Sequence, residues 1–161
     1  MKILIVLAAV VCVAHCTFKE ATTTKDVFNQ VWEKNGARIV TFGYARCPKA
    51  VRSREQIKNF IDNSKVCSDV DYVFADCMKA ASGTCKGLFD NYMDYLPLDQ
   101  KFSFKMKYPR TFFFHKEGNK AAVVPISETG RMHESHLGDQ ARFDDWCASA
   151  KAEANKVHGW T

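Results

Sequence analysis

Beyond its first sixteen residues the chain has no apolar run long enough to cross a bilayer, which takes about 20 residues of helix. It has no low-complexity tract, no internal repeat and no interdomain linker. The 161 residues therefore read as one folding unit, large enough for its own core. Charge of one sign is nowhere concentrated: 23 Lys and Arg are scattered among 18 Asp and Glu, for a formal charge of +5. Without a basic stripe there is no footprint for nucleic acid. The small excess serves solubility or favours acidic partners. The stretch from Ser127 to Asp145 holds Ser, His and Asp but no Gly-x-Ser-x-Gly turn, which discounts a hydrolase. His133 and His136, with His115 elsewhere, lack a cysteine at ligand spacing, so neither a metal site nor any other cofactor is predicted.

What is present begins with MKILIVLAAVVCVAHC, one lysine followed by an unbroken apolar stretch with small residues near its end. That is the pattern of a secretory signal over residues 1–16, with Ala14 and Cys16 at the −3 and −1 positions. A single domain then covers 17–161, located in the endoplasmic reticulum lumen or secreted, with no membrane span after signal removal. The chain ends HGWT rather than in a KDEL-type signal, which favours secretion. Two of the seven cysteines lie in the signal, leaving Cys47, Cys67, Cys77, Cys85 and Cys147. An odd number in an oxidising compartment predicts two bridges and a free thiol, or an intermolecular link.

The remaining pattern is organised around RIVTFGYARCPKA, Arg38 to Ala50. Ile39, Val40, Phe42 and Tyr44 form a run of the kind found in strands buried on both faces. The run breaks at Ala45-Arg46, and a helical period follows, which places Cys47 at a helix N-terminus where a thiolate is favoured.

Upstream, Thr17 to Thr23 has edge-strand composition, and Thr24 is expected to cap a helix with Val27, Phe28, Val31 and Trp32 on one stripe and Gly36 closing it. Downstream, Ala50 to Asn63 is predicted as an amphipathic helix, Val70 to Ala75 as a strand and Ser82 to Tyr95 as a helix. An irregular stretch leads to Pro109, and Thr111–His115 and Ala121–Pro125 make a hairpin across KEGNK. Loop is expected up to Gly138 and a last helix over Asp139–Val157. The order β-α-β-α-β-α-β-β-α implies parallel strands closed by an antiparallel hairpin, a mixed three-layer α/β sandwich.

This order, with a cysteine opening the helix after the second strand and a proline before the hairpin, resembles the thioredoxin fold over Thr17 to about Lys156. FGYARCPKA stands where that family has its Cys-x-x-Cys turn, and Tyr108-Pro109 where it has a cis-proline facing the turn. The second cysteine is Ala50 here, the tryptophan before the first is Arg46, and the buried acid falls on Thr41. A dithiol oxidoreductase needs a nucleophilic thiolate, a resolving thiol and a proton acceptor. One of the three remains, so ordinary thioredoxin activity is not expected.

Two secretory branches of protein disulfide isomerase relatives share this pattern. YLPLDQKFSFKMKYPRTFFFHKEGN is similar to the region before the cis-proline in redox-inactive chaperones of the Windbeutel type, although their additional helical domain is missing. Cys47-Pro48-Lys49-Ala50 is similar to the monothiol anterior-gradient type.

Cys47 is thus the candidate mixed-disulfide nucleophile, flanked by Arg46 and Lys49, or else a relic or structural thiol. Cys67 and Cys77 stand at opposite ends of a strand, too far apart to bond at about 3.3 Å per residue. The resemblance implies a local Cys77–Cys85 bridge and a Cys67–Cys147 bridge between helices sharing one sheet face. Pairing of Cys47 with Cys77 or Cys85 competes. Lys101 to Tyr108 alternates basic and apolar residues. With Tyr44, Arg46, Lys49 and Pro109, its Phe104, Met106 and Tyr108 are the candidate surface for an extended polypeptide. The function implied is a binding or escort module for a polypeptide or protein partner such as secretory cargo. The alternative is a monothiol exchange enzyme using Cys47. Homodimer formation is compatible with either.

Overall fold

The computed structural model describes residues 17–78, 85, 109–118, 120–123 and 131–158. The chain opens with β1 (Phe18–Ala21) and enters α1 (Thr24–Val27) through a capping box. Thr23, not Thr24, is the cap: its Oγ1 accepts from the Asp26 N–H at 3.1 Å, and its own N–H donates to the Asp26 carboxylate at 3.2 Å. The helix then widens into a π-helix over Phe28–Glu33. The wider turn breaks the 3.6-residue stripe. Val27 and Val31 stay buried, while Phe28 is turned out to 39% exposure.

Gly36 does not close this helix. It is the first residue of β2 (Gly36–Gly43), and its φ of 99° makes the corner between helix and strand. Arg38, 1% exposed, holds the same corner. Its guanidinium donates to the carbonyls of Gln30 and Val31 at 3.0 Å each, to that of Gly36 at 2.8 Å, and to that of Lys34. One side chain thus satisfies the carbonyls left open at the helix end.

After β2 come α2 (Pro48–Asn63) and β3 (Asp71–Asp76), which runs parallel to both β2 and β1. Then β4 (Arg110–Glu117) pairs antiparallel with β2, and Gly118 at φ 54° turns the chain into β5 (Lys120–Val123). The sheet order is β1-β3-β2-β4-β5. Segment 131–137, expected as loop, instead forms a short β6 (Arg131–Met132) against the start of β4 and a 3-10 turn (Glu134–Leu137). Two-residue strands and single turns carry no readable period. The last helix, α3, spans Gln140–His158.

Alternation along the strands feeds two layers. Ile39 and Phe113 face α2 and α3, where Ile57, Ile61, Phe143 and Trp146 complete the core. Arg38 points the other way, onto the π-helix. Helices on both faces of a mixed sheet make a thioredoxin-like α/β/α sandwich. The expected helix over Ser82–Tyr95 and the stretch to Tyr108 lie outside the described residues, Cys85 excepted.

Two disulfides brace this frame. Cys67, beyond the end of α2, bonds Cys147 in α3, and Cys77 at the end of β3 bonds Cys85, with Cα separations of 6.4 and 5.7 Å. Beside the first, Ser64 caps the end of α2 and donates to Asp144 of α3 at 2.5 Å. The competing bridge from Cys47 to Cys77 or Cys85 is not formed.

Candidate functional site

The C-terminal ends of β2 and β3 and the start of β4 share one edge of the sheet, with Gly43 paired to Asp76 and Phe42 to Arg110. From Gly43 the chain turns through Tyr44, Ala45 and Arg46, and the Cys47 N–H closes the turn on the Tyr44 carbonyl at 2.8 Å. Asp76, almost fully buried, accepts from the backbone of Ala45 at 3.3 Å and of Met78 at 3.2 Å. One carboxylate therefore fixes both the turn before Cys47 and the exit of β3, whose Cys77 N–H donates to the Gly43 carbonyl at 2.8 Å.

Cys47 is the N-cap of α2, with Pro48 in the first turn where its missing N–H costs nothing. It is partly exposed and is the free thiol among the described residues. Ala50, at the place of a second cysteine, is fully buried. Its Cβ lies 3.2 Å from where a Cβ on Gly43 would fall, and the Phe74 ring is equally close to that point. The turn is packed shut around a methyl group.

Below the turn, Thr41 Oγ1 lies 2.8 Å from Thr111 Oγ1 and accepts from the Tyr72 hydroxyl at 3.1 Å. All three are buried. Burial pushes the Tyr72 phenol well above its usual range. The triad satisfies its own polar atoms and contains no carboxylate.

A cavity of 650 Å³ opens beside this edge. Lys49, Arg52, Ser53 and Gln56 line one wall, Pro109, Arg110 and Thr111 a second, and Met132, His133, Glu134 and Leu137 the third. Lys49 meets Glu134 at 3.4 Å. Behind the third wall the His133 N–H donates to His136 Nδ1 at 3.0 Å, and the His136 ring stacks on Trp146 at 6.2 Å. Burial first, and the neighbouring His133 second, lower the His136 pKa. A smaller cavity of 360 Å³ lies at Ala45, Arg46, Asp76 and Met78.

Of the residues singled out in the sequence, Lys49 and Pro109 come together in the large cavity, and Arg46 lines the smaller one. Tyr44 forms the turn, and Cys47 lines neither cavity. Phe104, Met106 and Tyr108 lie outside the described residues. No group of three potential metal ligands occurs among the described residues, and no described helix is long and apolar enough to cross a membrane. Apolar periodicity passes over Arg52, Ser53 and Gln56. A search for polar residues recurring at i, i+3, i+4 and i+7 from Lys49 finds them.

No protein-family model matches the chain, and no curated protein matches it. Solved structures do. A thioredoxin of Trichomonas vaginalis is 19% identical with a TM-score of 0.49, over 80% of this chain and 96% of that one. The Trx4 domain of ERdj5 is 15% identical with a TM-score of 0.46, over 89% and 93%. A Plasmodium falciparum thioredoxin is 20% identical with a TM-score of 0.42, over 66% and 70%. The likeness is one of fold.

Proposed function

We propose that the chain is a polypeptide-binding, escort-type module of the secretory pathway, without dithiol redox activity. The observation that carries this reading is Ala50, a fully buried methyl where a resolving thiol would have to stand. A single thiol cannot complete an intramolecular dithiol cycle at that turn. Thr41 adds to the argument, since a hydroxyl does not accept a proton near neutral pH. Two disulfides fit an oxidising compartment, as does the signal-like segment 1–16. The surface beside Pro109 is where an extended chain would lie, and Phe104, Met106 and Tyr108 are its sequence candidates just upstream. The test is titration with a reduced, alkylated, permanently unfolded polypeptide, alongside an insulin-reduction assay. Saturable binding that survives Cys47→Ser, with no reductase activity, is expected. Absence of binding with reduction at the rate of a dithiol thioredoxin overturns the reading.

A second reading is favoured by the free, partly exposed thiol at the α2 N-cap. The Cys47 thiolate attacks a substrate disulfide, one S–S bond breaking as another forms, and the displaced thiolate takes a proton from water. Glutathione or a second substrate thiol then attacks the mixed disulfide and releases Cys47, with no net oxidation of the chain. Mixed-disulfide trapping that vanishes in Cys47→Ser supports this chemistry, and trapping unchanged in that variant eliminates it.

A further inference from the structure

We propose that the 650 Å³ cavity beside Pro109 selects acidic segments of the bound polypeptide, an inference that rests on the polypeptide-binding reading above. Its helix wall carries Lys49 and Arg52, and Glu134 on the facing wall is the one carboxylate in the lining. Arg52 stands exposed on the helix wall and makes no ion pair among the described residues. Lys49 is held only loosely. Its pair with Glu134 spans 3.4 Å, and the two side chains are 58% and 83% exposed, the regime in which an ion pair contributes little. An incoming carboxylate can displace Glu134 at small cost and gain both cations.

The same exposure argues for a polypeptide over a small anion. Charges open to water are screened, so one carboxylate finds little affinity there. Several acids along one chain add weak contacts while the backbone is already held, which raises their effective concentration. Lys49 and Arg52, one helical turn apart on one wall, suit acids spaced along an extended segment. Ser53, Gln56 and Thr111 supply uncharged hydrogen-bonding groups between the cations. Pro109 joins the cavity to the face on which the polypeptide is proposed to run.

The test uses labelled peptides of one length and one apolar content, differing only in whether chosen positions carry Glu, Gln or Lys. Fluorescence anisotropy with the chain from Thr17 onward should rank them Glu over Gln over Lys. The Glu preference should amount to roughly tenfold at low salt and collapse at high salt. It should fall toward unity in Arg52→Glu and in the milder Arg52→Gln, while binding of the Gln peptide stays unchanged. Near-ultraviolet circular dichroism checks that the variants fold. Equal binding of Glu and Gln peptides overturns acid selection and leaves polypeptide binding intact. Absence of binding by every peptide overturns both. Displacement of the Glu peptide by citrate alone, at concentrations where the peptide itself binds, overturns the polypeptide as the source of the carboxylates.

Discussion

Thr41 and Thr111 face each other across the β2–β4 ladder with their hydroxyl oxygens 2.8 Å apart, and the Tyr72 hydroxyl donates to the first of them. This pair is buried in the layer beneath the Cys47 turn. Thr41→Val leaves two buried hydroxyls short of a partner and should cost about 1–3 kcal/mol of stability. Thr41→Asp should behave differently. A carboxyl in so buried a place prefers its neutral form, so its folded pKa lies above its unfolded value and stability is lost as pH rises past about 4. Urea unfolding at acidic and neutral pH checks both variants. A Thr41→Asp chain equally stable at the two would contradict the argument.

Arg38 is a predicted weak point of the fold. Its guanidinium serves four carbonyls at the corner between the π-helix and β2. Arg38→Met keeps the length but leaves those acceptors open, and should destabilise by about 3 kcal/mol. Arg38→Lys should recover only part of this, because an ammonium is a point charge without the planar fork. Chemical denaturation midpoints of the three proteins settle the order.

Two groups should shape the acid side of the stability profile. Burial acts to raise the Asp71 carboxyl, but hydrogen bonds from Lys34 and Thr17 outweigh it and hold the pKa below the ordinary value. His136 is also depressed. In both cases the unfolded chain binds protons first, so stability rises with pH across the window. The His136 contribution is complete above about pH 6.5 and is lost as pH falls through its folded value. That of Asp71 is complete above about pH 4 and is lost below. His136→Gln should flatten the upper step and Asp71→Asn the lower one, in urea midpoints taken against pH. Profiles parallel to the parent in both variants would refute the assignment.

The cysteine arrangement predicts one thiol per chain accessible to a thiol reagent under native conditions, from Thr17 onward. Cys47→Ser should remove it and move stability by no more than about 0.5 kcal/mol, since the side chain makes no bridge. Mass mapping after native alkylation reads the first, and thermal unfolding the second.

The frame of the fold was legible because it is written in apolar runs. Ile39 to Phe42 and Tyr72 to Ala75 announce buried strands, and KEGN between two such runs announces the hairpin. The first helix was misjudged because Val27, Phe28 and Val31 fit a 3.6-residue stripe, and nothing local in the sequence reports a π turn that rotates Phe28 outward. Arg38 reads as a charged residue at the start of a strand, since three of its four acceptors lie before that strand, in the π-helix and at its end. The cavity was half visible. Lys49 stood out beside Cys47, whereas His133 and Glu134 reach it only through a short segment whose placement depends on β6 pairing with β4.

Cys67 and Cys147 are joined across 80 residues of sequence, and that tie governs what a protease could do to the molecule. A backbone cut at any bond between them yields two pieces that remain one covalent particle until the disulfide is reduced. The stretch containing Phe104, Met106 and Tyr108 lies wholly inside this closed ring. Nicking there would go unseen on a non-reducing gel and would appear as two bands only after reduction. A chain clipped there would still travel as a single molecule.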